Sequence, residues 1–210
     1  MSPDETKPST LQAFDLGDLA QYTAEGVFSS WDSDDSRLFL VGRDDCHGVL
    51  MHLYSRVSLS IESTMFGYDD QDLNDVIWSK VEDPSVVTEF VLDKSQGGGV
   101  HERQIIASDV AKDPVKFAAD FVITTSETSQ IVHTKGGILD GIVGYEGSMN
   151  WSSSGEGRGI GLHGAANATG WRAQENTLMI FTNPVQLAKL SARIKYSALV
   201  GRQREAKAAT

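Results

Sequence analysis

Apolar residues recur at the spacing of an amphipathic helix in several parts of this chain, and most of these parts follow a residue that favours a helix start. The pair Asp44-Asp45 precedes apolar positions 49, 50, 53 and 54, and Asp70 precedes positions 73, 76 and 77. Asn183-Pro184 starts a last helix whose buried stripe is predicted at positions 187, 190, 194 and 198. A weaker pattern predicts a helix over residues 104–111 that ends before Pro114.

Strand patterns separate these helices. Val57, Leu59 and Ile61 alternate with polar residues, which is the period of a half-buried strand. Further strands are predicted at residues 87–92, 117–124, 130–135, 138–143 and 177–181. The segments 117–124 and 130–135 are expected to be neighbours joined by a polar turn, and Gly136-Gly137 predicts a tight reversal or bulge. Strands that alternate with helices predict an α/β layered domain with a mixed β-sheet.

The length of 210 residues without an internal linker favours a single domain with a sizeable core. Residues 1–12 are polar and are expected to be a flexible N-terminal tail, residues 13–201 the domain, and residues 202–210 a C-terminal tail. Residues 152–172 form a long Gly-rich loop, of a kind that is often a functional lid or disordered. Arg158, His163 and Arg172 in this loop are candidate substrate contacts, because their side chains can bind phosphate.

Composition indicates a globular protein of a reducing compartment. Cys46 is the only cysteine, so no internal disulfide is possible. The amino terminus lacks the basic and apolar pattern of a signal peptide, and no apolar run is long enough to span a membrane. We therefore expect a cytoplasmic protein without stable membrane association.

The strongest chemical signal lies between His133 and Asn150. Neutral imidazole is a competent nucleophile near pH 7, so His133 can attack phosphorus. Lys135 follows two residues later in an extended segment and points to the same side, so its ammonium can meet the phosphate oxygens. Ser148 and Asn150 share this alternation on the next strand and can donate hydrogen bonds to the developing negative charge. The combination predicts displacement at phosphorus without a metal ion.

The spacing His-x-Lys-x-x-x-x-Asp from His133 to Asp140, followed by Gly-Ser-x-Asn at residues 147–150, resembles the signature of the phospholipase D superfamily. The short Gly-Ser-x-Asn form with Trp151 after it looks most like the small single-motif bacterial endonucleases of that group. The similarity spans residues 131–181. It implies a phospholipase D-like fold, in which a mixed sheet is sandwiched between helices and the motif lies at the strand ends.

A single histidine cannot attack phosphorus and also protonate the leaving oxygen on the opposite side, and the chain holds one copy of the motif. The simplest source of the second histidine is another copy of the chain across a twofold axis, and the resemblance implies the same homodimer. His133 would form a phosphohistidine while the partner subunit's His133 protonates the leaving group. The resemblance implies that Glu175 orients His133. Asp140 belongs to the signature, but we expect it to support the turn or an interface rather than react.

The expected function is thus a metal-independent phosphodiesterase, an endonuclease on DNA or RNA. Two alternatives stay open: a phospholipase or phosphatidyl transferase, and an inactive relative that binds nucleic acid without cutting it. The net charge of −11 is the strongest argument against a nucleic-acid substrate, because phosphate contacts usually come from clustered Lys and Arg.

No metal or cofactor is expected, because the sequence has no Cys–His or HExxH pattern that would hold a metal. Acidic clusters at residues 32–35, 44–45 and 69–70 are interpreted as solvated caps and turns. His47 and His52 lie five residues apart, off a shared helical face, and are interpreted as structural or exposed.

Overall fold

A computed structural model describes residues 14–95, 100–126, 128, 130–158, 170, 172–208 and 210. The expected N-terminal tail at residues 1–12 and residues 159–169 of the Gly-rich loop lie outside the described residues. The described chain forms one seven-stranded sheet flanked by helices. This confirms the predicted α/β class with a mixed sheet in a single domain.

The elements follow one another along the chain as a 3₁₀ helix (Leu16–Tyr22), β1 (Ser36–Leu40), α1 (Cys46–Ser55), β2 (Ser60–Met65), α2 (Gln71–Val81), β3 (Val87–Asp93), α3 (Val100–Lys112), α4 (Pro114–Asp120), β4 (Phe121–Thr124), β5 (Lys135–Leu139), β6 (Val143–Gly147), α5 (Ser153–Glu156), β7 (Thr177–Phe181) and α6 (Pro184–Ala208).

The strand order is β1-β7-β6-β5-β2-β3-β4, in which β2 and β3 and also β3 and β4 are parallel. The remaining neighbours, including β2 with β5 and β5 with β6, are antiparallel. Because β5 runs against both of its neighbours, its first residue, Lys135, lies beside the last residues of β2 and β6. The segments that follow β2 and β6 therefore meet the segment that precedes β5 at one edge of the sheet.

Helix α6 covers one face of the sheet. Its buried stripe of Leu187, Leu190, Ile194 and Ala198 packs on Val91, Val122, Ile138 and Phe181, as the helical periodicity predicted. The opposite face, which includes Phe90 and Leu92 of β3, packs in the larger core. Helix α6 continues to Ala208, so residues 202–208 are helical rather than part of a tail. Among the described helices, none combines the length and apolar character needed to cross a membrane.

The prediction of two neighbouring strands at residues 117–124 and 130–135 was right only for residues 121–124, which form β4. Residues Pro114–Asp120 form α4, because the Asp113 carboxylate accepts hydrogen bonds from the amides of Val115 and Lys116 and caps a helix that has proline in its first turn. Residues 130–134 are irregular, and β4 pairs with β3 while β5 pairs with β2 and β6.

The glycines Gly136-Gly137 do not reverse the chain; they lie within β5. A Cβ atom on Gly137 would lie 2.7 Å from the ring of Tyr145 and 2.9 Å from the carbonyl oxygen of Glu62, so close packing explains this glycine. The reversal occurs at Asp140-Gly141, with φ angles of 53° and 70°.

Glu102 of α3 supports a test of how burial controls stability. Its side chain is buried, and its Oε1 has no hydrogen-bond partner in the described part of the chain. Burial raises the pKa of Glu102 from 4.5 to about 7, and the negative charges of Asp69 and Asp93 add to this increase. A hydrogen bond from the Tyr68 amide acts in the opposite direction. The folded state therefore disfavours the charged carboxylate, and the contribution of Glu102 to stability falls as the pH rises from 4.5 through 7.

We expect Glu102→Gln to raise the free energy of unfolding by about 2 kcal/mol at pH 8 and by much less at pH 5. Urea unfolding of both proteins at the two pH values measures this difference. An equal difference at both pH values would contradict the role of the ionised carboxylate.

Candidate active site

His133 and Lys135 meet around the ring of Phe66 at the sheet edge where β5 begins. Phe66 directly follows β2. The centroid of its ring lies 4.6 Å from that of His133, and the Nζ atom of Lys135 lies 4.9 Å from the Phe66 centroid. The His133 side chain is exposed at this edge. The structure thus brings together the candidate nucleophile and the candidate phosphate-binding cation that share one motif in the sequence.

Lys135 is a buried cation without a carboxylate partner among the described residues. The residue is 4% exposed, and its Nζ donates a hydrogen bond of 2.9 Å to the carbonyl oxygen of His133. Within the described residues no carboxylate forms an ion pair with Lys135. Burial accordingly lowers the pKa of its ammonium. A buried charge of this kind favours an anion beside it.

Asn150 is fastened to the loop that carries Phe66. Its Oδ1 accepts a 3.3 Å hydrogen bond from the amide of Gly67. The amide of Trp151 donates to the carbonyl of Gly67, and the amide of Asp69 donates to the carbonyl of Trp151. A Cβ atom on Gly67 would lie 3.2 Å from that of Asn150, so glycine allows this close approach. Asn150 therefore borders the same loop as His133 and Lys135.

Ser148 and Glu175 are placed differently from the prediction. The Ser148 Oγ donates to Asn176 Oδ1 at 3.0 Å and accepts from the amide of Thr177 at 3.1 Å, so it anchors the end of β6 to the start of β7. Glu175 is exposed and lines an open groove with residues 40–43. In the described part of the chain no hydrogen bond joins Glu175 to His133, so one chain alone does not show the expected orienting contact.

Asp140 directly follows β5, whereas Lys135 is the first residue of that strand, so the two residues lie at its two ends. Its carboxylate accepts hydrogen bonds from the amides of Ser58, Leu59 and Ser60 at 2.8–3.2 Å. A five-residue strand separates the two side chains by more than 10 Å of chain, about 3.3 Å per residue. Asp140 therefore supports the turn before β2, as expected from the sequence, and is not part of the cluster around Phe66 although it belongs to the signature.

The three candidate phosphate contacts of the Gly-rich loop differ in their surroundings, and two of them lie within the described residues. The Arg158 Nη1 contacts Asp70 Oδ1 at 3.0 Å, and its Nη2 contacts Asp72. Its guanidinium is therefore occupied by carboxylates in this structure. Arg172 is exposed, and His163 lies outside the described residues.

The structure reveals a second cluster that the sequence interpretation missed. His47 Nδ1 lies 2.6 Å from Glu156 Oε2 and 2.9 Å from Asp70 Oδ2, and both carboxylates are fully buried. Asp70 caps α2, as expected, but it is buried rather than solvated and also faces His47. Burial tends to lower the pKa of His47, but its bonds to Asp70 and Glu156 outweigh this and raise the pKa to about 9. Three separate parts of the sequence contribute, so their spacing carried no signal.

Solved structures with a similar fold were found. Nuc from Salmonella typhimurium, described as a phospholipase D family member, has 13% identity and a TM-score of 0.59 over 80% of this chain and 97% of its own. NucT from Helicobacter pylori has 13% identity and a TM-score of 0.55 over 77% of this chain and 94% of its own. A phosphatidylserine synthase from Haemophilus influenzae has 12% identity and a TM-score of 0.56 over 77% of this chain and 36% of its own. Neither the protein-family models nor the curated protein sequences give a match.

Removal of the buried charge tests the description of Lys135. We expect Lys135→Met to unfold with a free energy at least equal to that of the wild type, and up to about 1 kcal/mol higher, because an apolar side chain of similar length needs no counterion. Lys189→Met, on the exposed surface of α6, is the matched control and is expected to change little. Urea unfolding measures all three proteins, and a clear loss of stability in Lys135→Met alone would show that the ammonium is well compensated.

Proposed function

We propose that this chain, which has the phospholipase D fold, is a phosphodiesterase that cleaves nucleic acid without a metal ion. The observation that carries the proposal is the pairing of an exposed His133 imidazole with the buried Lys135 ammonium, which has no carboxylate partner among the described residues. A phosphate oxygen would supply the missing negative charge. The phosphorus atom of the bound phosphate would then lie beside the imidazole of His133.

The proposed chemistry has two steps. In the first, the imidazole of His133 attacks phosphorus, the bond from phosphorus to the leaving oxygen breaks, and that oxygen takes a proton from the second histidine. In the second, the same histidine removes a proton from water, which attacks phosphorus and releases His133. Lys135 and the amide of Asn150 would stabilise the extra negative charge in both transition states. Ser148 would contribute only indirectly, because its hydroxyl anchors the end of β6, which leads to Asn150, to the start of β7.

The second histidine is proposed to be His133 of the partner subunit. Among the described contacts no other histidine of the same chain lies against His133, while His47 and His52 contact other groups. A twofold axis beside the exposed His133 would bring two identical imidazoles to one phosphate. The dimer would also double the number of Lys135 ammonium groups around the phosphate.

Nucleic acid is preferred over lipid as the substrate class. The chain corresponds to nearly the full length of Nuc and NucT but to about a third of the phosphatidylserine synthase. The short Gly-Ser-x-Asn form at residues 147–150 also resembles the single-motif endonucleases. Several aspartates that contribute to the acidic net charge already pair with Arg158 or accept hydrogen bonds from helix amides. The net charge therefore does not oppose a local anion site elsewhere on the protein.

Cleavage of plasmid DNA, single-stranded DNA, RNA and phosphatidylcholine vesicles tests the activity and its substrate class. We expect the wild type to cut nucleic acid in the presence of EDTA and His133→Ala to lose activity by about 10⁴-fold. The assay temperature is set below the midpoint of thermal unfolding measured in EDTA, so that loss of folded protein cannot imitate loss of chemistry. Full activity in His133→Ala, or hydrolysis of the lipid alone, would contradict the proposal.

Mixed subunits test the shared active site. When wild-type and His133→Ala chains are unfolded together at equal amounts and refolded, about one quarter of the dimers contain two wild-type chains. We expect activity near a quarter of that of the same total amount of wild type. Activity near one half would show that each chain works alone, and mixing with Lys189→Met should leave activity unchanged.

A further inference from the structure

The cluster of His47, Asp70 and Glu156 lies apart from the residues to which the proposed chemistry is assigned. We propose that these three side chains bind a divalent transition-metal ion of the zinc or manganese class, which holds the loop beside the active site in place. The proposal does not depend on the phosphodiesterase activity. The ion would contact neither His133 nor Lys135.

The three side chains converge from three elements that are distant in sequence. His47 lies in the first turn of α1, Asp70 caps α2, and Glu156 is the last residue of α5. One imidazole nitrogen and one oxygen of each carboxylate all lie within 4.8 Å of one another. Octahedral or tetrahedral ligands of one ion are separated by about 3 Å, since each lies about 2.1 Å from the metal. Small side-chain shifts would suffice to admit the ion.

The hydrogen bonds within the cluster leave buried oxygens unsatisfied. His47 Nδ1 carries at most one proton, and this proton faces both Glu156 Oε2 at 2.6 Å and Asp70 Oδ2 at 2.9 Å. Glu156 Oε1 has no hydrogen-bond partner in the described chain, and Asp70 Oδ2 must share the His47 Nδ1 proton with the closer Glu156 Oε2, although both side chains are fully buried. Buried carboxylate oxygens without partners are costly. A single dication would satisfy oxygen atoms that one proton cannot.

Hydrogen bonds from neighbouring groups already orient Asp70 and the helix that carries Glu156. Asp70 Oδ1 accepts from the amides of Asp72 and Leu73 and from Arg158, which leaves Oδ2 directed at His47. The short helix that carries Glu156 is fixed by a hydrogen bond from Asn176 Nδ2 to the carbonyl of Gly155. Metal ligands are commonly held by such outer contacts, which set their direction before the ion binds.

The donor set selects the class of ion. Imidazole together with carboxylates suits zinc and manganese, whereas magnesium and calcium prefer oxygen ligands alone. The His47 side chain is 16% exposed, so this side of the cluster offers an approach from solvent and room for water as a further ligand. Asp70 and Glu156 together would neutralise the ion.

The ion would act on the active site through the loop of residues 66–70. Asp70 ends this loop, Phe66 at its start contacts His133, and Gly67 accepts the close approach of Asn150. Binding would therefore fix the loop and stabilise the fold without taking part in proton or phosphoryl transfer. This separates the proposed ion from the EDTA-resistant chemistry.

Metal titration of the full chain after dialysis against a chelator tests the proposal. We expect calorimetry to show one Zn²⁺ or Mn²⁺ bound per chain and much weaker binding of Mg²⁺. At about 100-fold excess of ion over the dissociation constant, the thermal midpoint should rise by about 5–10 °C. His47→Gln and Glu156→Gln should each weaken binding by about 100-fold or more, while His52→Gln on the same helix should bind like the wild type.

Two results would overturn the proposal: no binding of either ion to the wild type, or equal binding by His47→Gln. Circular dichroism checks that the variants fold. If they do not, spin-echo spectroscopy of the Mn²⁺-loaded wild type takes their place, because a coordinated imidazole nitrogen gives a resolved coupling to manganese. Absence of that nitrogen signal would also reject His47 as a ligand.

Discussion

The proposed site depends on the burial of the Lys135 ammonium beside His133. The sheet topology places Lys135 where β5 begins between the ends of β2 and β6, so its side chain has little access to water. The Phe66 ring and the carbonyl of His133 stabilise the charge in part. No described carboxylate completes the neutralisation. A bound phosphate would do so, and a charge that is uncompensated in the free protein would then favour binding of the anion.

The loop of residues 66–70 connects the features that matter for function. Phe66 borders His133 and Lys135, and Gly67 is joined to Asn150 and Trp151 by backbone and side-chain hydrogen bonds. At its other end the loop reaches the His47–Glu156 pair through Asp70. Its geometry is therefore set from both sides, by the motif segments and by a buried polar cluster. Changes in either cluster are expected to reach the other through this short connection.

The sequence predicted the elements whose signal is local and missed those that depend on tertiary contacts. Helices α1, α2 and α6 and strand β7 appear where caps and apolar periodicity placed them. The pairing of β5 with β2 could not be predicted, because the pairing of strands distant in sequence depends on the topology of the whole sheet. The need for glycine at position 137 arises from close packing against Tyr145, which is also a tertiary contact. Within the site, His133 and Lys135 were found because they share one motif. The grouping of His47 with Asp70 and Glu156 arises only when three distant segments fold together.

The most direct test of the central claim is a search for the covalent intermediate. The wild type is mixed with bis(p-nitrophenyl) phosphate and quenched at alkaline pH, where a phosphorus–nitrogen bond survives, and its peptides are analysed by mass spectrometry. The account predicts a nitrophenyl phosphate adduct on the peptide that contains His133 and on that residue alone. Substrate turnover with the adduct on another residue, or with no adduct at any time during turnover, would contradict it.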